Sequence, residues 1–144
     1  MSSNFRNVWV VDDDPLQVLI LNRLFATQTF INNPKFFSGG KAAADALNGG
    51  KLSADETPDL IFLDLIMGKG DGWGFLDQYK KFKSKLGRVG KIVVISSYNE
   101  ENMKRLKQYP EVVYYLSKPV DKKEFEELMD TLRSEDRDVK RAVG

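Results

Sequence analysis

Short apolar runs, each ending abruptly on polar residues, alternate along this chain with stretches where apolar residues return every three or four positions. The short runs predict buried strands and the spaced stretches predict amphipathic helices. Val8-Trp9-Val10-Val11 runs into Asp12-Asp13-Asp14, and Leu60-Ile61-Phe62-Leu63 runs into Asp64. Ile92 to Ile95 runs into Ser96-Ser97, and Val112 to Leu116 runs into Ser117-Lys118-Pro119. Lys35-Phe36-Phe37 is a weaker strand signal after the turn Asn32-Asn33-Pro34.

Helices fill the intervals. Asp14-Pro15 predicts a helix start, with Asp as N-cap and Pro at the first helical position. The expected buried stripe is Leu16, Leu19, Ile20 and Leu24, widened by Val18, Leu21 and Phe25. Gly39-Gly40 opens a second helix through Ala42-Ala43-Ala44 and Leu47, and Gly49-Gly50 closes it. Lys51 to Thr57 reads as a polar loop. A third helix turns Phe75, Leu76, Tyr79 and Phe82 inward, and Gly87 to Gly90 leads to the next strand. The fourth, Asn99 to Gln108, has only Met103 and Leu106 as apolar anchors and is expected to be weakly held. In the fifth, Asp121 and Glu124 form a capping box, Val120 and Phe125 a staple, and Phe125, Leu128, Met129 and Leu132 the buried face. The residues after Arg133 are charged and without periodicity, which predicts a frayed tail over 134–144 beyond a domain of 1–133.

Five strand–helix repeats predict an α/β fold with a five-stranded parallel sheet covered on both faces. In such sheets ligands bind at the carboxyl ends of the strands. That edge would collect Asp12, Asp13, Asp64, Ser96 and Lys118. Asp14 is reserved for capping.

Composition narrows the chemistry. The chain has 144 residues and a formal net charge of +1, so no overall field points to nucleic acid or an anionic membrane. No run is long and apolar enough for a membrane span, and the amino end lacks a signal-peptide pattern, so a cytoplasmic location is the expectation. There is no Cys and no His, which excludes disulfides, thiolate chemistry, imidazole bases and His-ligated metals. Carboxylate, hydroxyl, amine and a hard cation remain. Three converging carboxylates repel one another, so a pKa must rise unless a cation sits among them. Mg²⁺ suits such an oxygen-rich site, and the set suits phosphoryl transfer with a carboxylate nucleophile. Gly68-Lys69-Gly70-Asp71-Gly72 matches neither nucleotide-binding fingerprint and reads as a flexible active-site loop.

These residues in this order resemble the receiver domains of two-component response regulators from about Val8 to Leu132. The resemblance rests on Asp12-Asp13, on Asp64 followed by Asp71-Gly72, on Ser96, and on Tyr115 ahead of Lys118-Pro119. It implies a flavodoxin-like, doubly wound (βα)5 fold with strand order 2-1-3-4-5, the order for which a chemotaxis receiver is a known example. It further implies that Asp64 accepts a phosphoryl group from a phosphohistidine. Mg²⁺ would be bound by Asp13, Asp64 and the backbone carbonyl of Ile66, with Asp12 acting through water. Lys118 would pair with a phosphoryl oxygen across a cis bond to Pro119. Ser96 and Tyr115 would form the switch, with Tyr115 packed inward.

The implied partners are a sensor histidine kinase or histidine phosphotransfer protein and a downstream protein target, with a phosphorylation-dependent homodimer as a further possibility. Lys107, Tyr109, Val113, Lys122 and Lys123 are candidates for the readout surface. Gly68 stands where the family usually has Pro, and Lys51 to Thr57 is long for the family. Ile66 and Tyr98 flank the path of a hydrolytic water, and their bulk predicts slow loss of the phosphoryl group. With no appended domain after Arg133, the expectation is a stand-alone switch that catalyses only its own phosphorylation and dephosphorylation. Two alternatives compete. One is a Mg²⁺-dependent phosphatase of the haloacid dehalogenase type using Asp12-x-Asp14, although Pro15-Leu16 departs from that pattern. The other is a degenerate receiver that only binds partners.

Overall fold

The computed structural model of the chain describes residues 7–28, 31, 34–49, 52–53, 56–67, 72–86, 90–97 and 99–143, with side chains through Ser84 in the third helix and Ser134 in the last. Its elements alternate: β1 (Val8–Val11), α1 (Pro15–Phe25), β2 (Lys35–Phe37), α2 (Gly40–Asn48), β3 (Leu60–Asp64), α3 (Gly72–Leu86), β4 (Lys91–Ser96), α4 (Glu100–Leu106), β5 (Val112–Ser117) and α5 (Lys122–Val143). The strands form one sheet in the order β2-β1-β3-β4-β5, all paired parallel. The parallel sheet is the one the repeat pattern predicts, and its order is the flavodoxin-like one that the resemblance to receiver domains implies.

The three central strands are apolar because both of their faces are covered. Trp9, Val11, Ile61, Leu63, Ile92 and Val94 point to one side, against Ala43 and Leu47 of α2, Phe75, Leu76 and Tyr79 of α3, and Leu106 of α4. Val8, Val10, Leu60, Phe62, Val93 and Ile95 point to the other, against Leu21, Leu24 and Phe25 of α1 and Phe125, Leu128, Met129 and Leu132 of α5. Each of the larger aliphatic and aromatic side chains contributes about 1.5–3 kcal/mol on burial, so the two cores lock the sheet and hold its carboxyl edge rigid.

Both predicted caps are present. Asp14 accepts the amide of Leu16 at 3.0 Å, and Asp121 accepts the amide of Glu124 at 3.1 Å. Val120 and Phe125 are both buried, as the staple requires.

Three expectations are corrected. The buried face of α1 is Gln17, Leu21, Leu24 and Phe25, whereas Leu16 and Leu19 are 64% and 46% exposed. Apolar residues at helical spacing offer two overlapping faces on this Leu-rich helix, and the sheet selected the one that runs through Gln17, Leu21 and Leu24. Tyr109 is not on the readout surface but buried: its ring lies 5.9 Å from that of Trp73 and its hydroxyl donates to Asp77 at 2.7 Å. Beyond Arg133 the chain does not fray but stays helical to Val143. Glu, Arg, Lys and Ala propagate a helix well without an apolar stripe. The loop Gly68 to Asp71, Tyr98, Gly50, Gly87 and parts of the Lys51–Thr57 loop lie outside the described residues.

α4 is held as thinly as its composition suggests, with Leu106 buried and Met103 half-buried. It also has a polar anchor that counting apolar residues misses. The guanidinium of Arg105 stacks 4.0 Å from the Trp73 ring centroid, and Lys80 lies 4.8 Å over the Tyr109 ring.

Candidate functional site

Strand register assembles the site. Val11 pairs with Leu63, Asp64 with Ile95 and Ser96 with Ser117. Asp12, Asp64, Ser96 and Lys118 therefore emerge side by side at the carboxyl edge, although up to 106 residues separate them in sequence.

The carboxylate of Asp64 is 2% exposed and already engaged on both oxygens. Its Oδ1 accepts the Ile66 amide at 3.1 Å, and its Oδ2 accepts the Lys118 ammonium at 3.0 Å. Lys118 also stands 3.6 Å from Asp12 Oδ1, which accepts the Asp14 amide at 2.9 Å. One oxygen from each of Asp12, Asp13 and Asp64 lies within 4.8 Å of the others. Asp12 and Asp64 are buried, and Asp13 is exposed.

One ammonium cannot balance three carboxylates, and Asp12 carries the consequence. Burial, the largest influence, pushes its pKa from the ordinary 3.8 to about 7. The Asp14 amide pulls it down, Asp64 pushes it up and Lys118 pulls it down. For Lys118, burial acts to lower the pKa, but the hydrogen bond to Asp64 and the charges of Asp12, Asp64 and Asp14 prevail and raise it. Both directions are those expected of a site short of positive charge.

The geometry fits a hard divalent cation. Asp12 Oδ2 is buried with no hydrogen-bond partner among the described residues, a costly state for a carboxylate oxygen that a cation or its water would relieve. The donors are all oxygen, the type that Mg²⁺ prefers.

The remaining predicted residues fall around this centre. Ser96 is buried beside Asp64 in a cleft of about 360 Å³, lined also by Ile66, Ser97, Asn99, Asn102 and Lys118. The side chain of Ile66 is 57% exposed on its rim. The Lys118–Pro119 bond is cis. Tyr115 is half-buried, and its hydroxyl donates to the carbonyls of Ser97 at 2.6 Å and Ser96 at 3.1 Å. Asn99 and Asn102 were not anticipated by sequence reasoning. They lie three to six residues beyond Ser96, where only the docking of α4 decides which side chains reach the cleft.

Gly72 explains part of the loop's sequence. A Cβ there would stand 2.6 Å from the Asp64 carbonyl oxygen and 2.7 Å from Leu65 Cα. The first turn of α3 can sit against the backbone at the end of β3 only without a side chain, and the Gly72 amide donates to the Leu65 carbonyl at 3.0 Å.

Fold and site together define a doubly wound α/β domain with an acidic pocket, a hydroxyl and an amine at its carboxyl edge. The chain belongs to the response regulator receiver domain family, whose model it matches over residues 8–130. It is 27% identical over 125 residues to the probable methanogenesis regulatory protein FilR2 of Methanothrix harundinacea (strain 6Ac), covering 87% of this chain and 77% of that protein. Among solved structures it is similar to a two component response regulator from Cytophaga hutchinsonii, with a TM-score of 0.75 at 21% identity, covering 90% of this chain and 97% of the other. The bacteriophytochrome response regulator RtBRR superposes with a TM-score of 0.72 at 25% identity, covering 88% and 77% respectively. Membership in this family sets aside the haloacid-dehalogenase reading. Among the described residues no helix is long and apolar enough to cross a membrane.

Proposed function

We propose that the chain is a phosphorylatable switch in two-component signalling, with Asp64 as the phosphoacceptor. The observation that carries this is the placement of Asp64: buried at the end of β3, bonded to Lys118 at 3.0 Å and grouped with Asp12 and Asp13. An Asp64 oxygen forms a bond to phosphorus as the bond from phosphorus to the donor imidazole nitrogen breaks, and the imidazole keeps the electron pair. Lys118 then pairs with a phosphoryl oxygen, and Ser96 turns its hydroxyl to another. Asp13, Asp64 and the Ile66 carbonyl would hold Mg²⁺, with Asp12 contributing through water. The bound ion would neutralise charge on the phosphoryl oxygens.

The donor is a sensor histidine kinase or a histidine phosphotransfer protein. Ile66 offers no polar group to a hydrolytic water, which supports a long-lived phosphoryl group. Tyr115 supports a switch role because it touches both regions: its hydroxyl binds the backbone after Ser96, and its ring lines a groove between α4 and β5. Val113 and Tyr114 stand 39% and 40% exposed at that groove, which Lys107 also lines, and Lys122 and Lys123 are exposed at the start of α5. A downstream protein or a second phosphorylated copy would read this face.

Incubation with acetyl phosphate and Mg²⁺, followed by intact mass, tests the reading. One phosphoryl group is expected on the wild type, and none on Asp64→Asn or without Mg²⁺. No addition under any condition would leave a receiver that only binds partners.

A further inference from the structure

The cleft beside Asp64 has a wall that the roles above leave unused. Its volume of about 360 Å³ exceeds what a phosphoryl group fills, and at roughly 30 Å³ per molecule it has room for several waters. Asp64, Ser96 and Lys118 line it, together with Asn99 at the cap and Asn102 on the first turn of α4. The two asparagines are not equivalent. Asn99 is the N-cap of α4, and its Oδ1 is occupied by the Asn102 amide at 3.0 Å. Asn102 is half-buried on the first turn, and its own carboxamide makes no hydrogen bond to the described residues. Ile66, also lining the cleft, carries no polar group.

We propose that Asn102 is a catalytic residue for loss of the phosphoryl group from Asp64. This rests on Asp64 being the phosphoacceptor. A carboxamide presents a donor and an acceptor side by side. Nδ2–H donates to a phosphoryl oxygen, and Oδ1 accepts a hydrogen bond from a water and turns its lone pair toward phosphorus. The water oxygen bonds to phosphorus as the bond from phosphorus to the Asp64 oxygen breaks. The electron pair returns to the carboxylate, and the water proton leaves with inorganic phosphate. Asn102 neither gains nor loses a proton. Because Ile66 supplies no polar group, Asn102 sets the lifetime of the phosphorylated state. The same contact ties α4 to the phosphoryl group.

The test loads the chain with acetyl phosphate and Mg²⁺, removes the donor by rapid desalting and follows intact mass. Asn102→Ala is expected to slow the loss about tenfold, the weight of one hydrogen bond in the transition state. Its thermal midpoint should stay within about 2 °C of wild type, since the side chain has no hydrogen-bond partner among the described residues to lose. Adding Ile66→Asn to Asn102→Ala should restore the faster decay by offering a carboxamide from another wall of the cleft. A merely structural Asn102 would not be rescued this way. Equal decay in wild type and Asn102→Ala would overturn this inference and leave Asp64 as phosphoacceptor. Failure of the wild type to take up a phosphoryl group would overturn both.

Discussion

At the scale of single residues, the site is defined by a shortage of positive charge. Asp12 shows it most clearly: one oxygen of its buried carboxyl is unpartnered among the described residues, and burial, with the charge of Asp64 added, pushes its pKa up to about 7. The unfolded chain releases this proton near 3.8, whereas the folded, metal-free chain keeps it to about 7. Between those values the folded state binds more protons, so the contribution of Asp12 is present below pH 3.8 and is lost as pH rises through about 7. Between pH 5 and about 7 the loss is on the order of 3 kcal/mol. Without Mg²⁺, wild type should therefore lose stability from pH 5 to 8 relative to Asp12→Asn, which cannot ionise. Denaturant unfolding of both proteins at the two pH values measures this, and parallel curves would mean that Asp12 ionises freely in the folded chain.

The acidic residues, Ser96 and Lys118 were legible in the sequence because each ends an apolar run, and a polar residue in that place has few positions to occupy. Tyr109 and Asn102 were not legible. A tyrosine between a helix and a strand can face either way, and only the neighbours Trp73 and Asp77 make the inward position favourable. Nor does the sequence around Asn102 distinguish it from a solvated helical asparagine.

At the scale of elements, α1 shows how far periodicity reaches. Its start was set locally, by the Asp14 cap and Pro15. Its rotation about its own axis was not, because leucine, isoleucine or valine occupies most turns on every side. Docking against β1 and β3 buried Leu21, Leu24 and Phe25 and left Leu16 and Leu19 outside. The two kinds of leucine should differ sharply. Leu21→Ala, at a fully buried position, is expected to cost about 2–5 kcal/mol, and Leu16→Ala less than about 0.5 kcal/mol. Urea midpoints at constant m-value would measure both, and equal losses would contradict this packing of α1. The last helix teaches a related point. Charged residues without an apolar stripe predict no buried face, but they do not predict the absence of a helix, and α5 continues to Val143.

For the whole molecule, two apolar cores on opposite faces of one sheet make the carboxyl edge a rigid mount. Binding at that edge should stabilise the entire domain rather than one loop. A cation held by Asp12, Asp13 and Asp64 in the folded state alone adds about 2.7 kcal/mol at a hundred times its Kd. For a chain of this length that corresponds to a Tm increase of roughly 8 °C. Scanning calorimetry with rising Mg²⁺ should show this increase in wild type and its loss in Asp13→Asn. An equal rise in that variant would place the stabilising ion elsewhere.

The sequence by itself determined the element order, the parallel sheet and the residue types at its carboxyl edge. Each of these depends on local pattern: apolar runs short enough for strands, caps at helix starts, and polar residues where runs stop. The tertiary structure decided the rotation of α1, the burial of Tyr109, the stacking of Arg105 on Trp73 and the reach of Asn102 into the cleft. These depend on which of several acceptable faces meets a neighbour distant in the chain. That choice is made by the fit of two surfaces, and no stretch of sequence contains both.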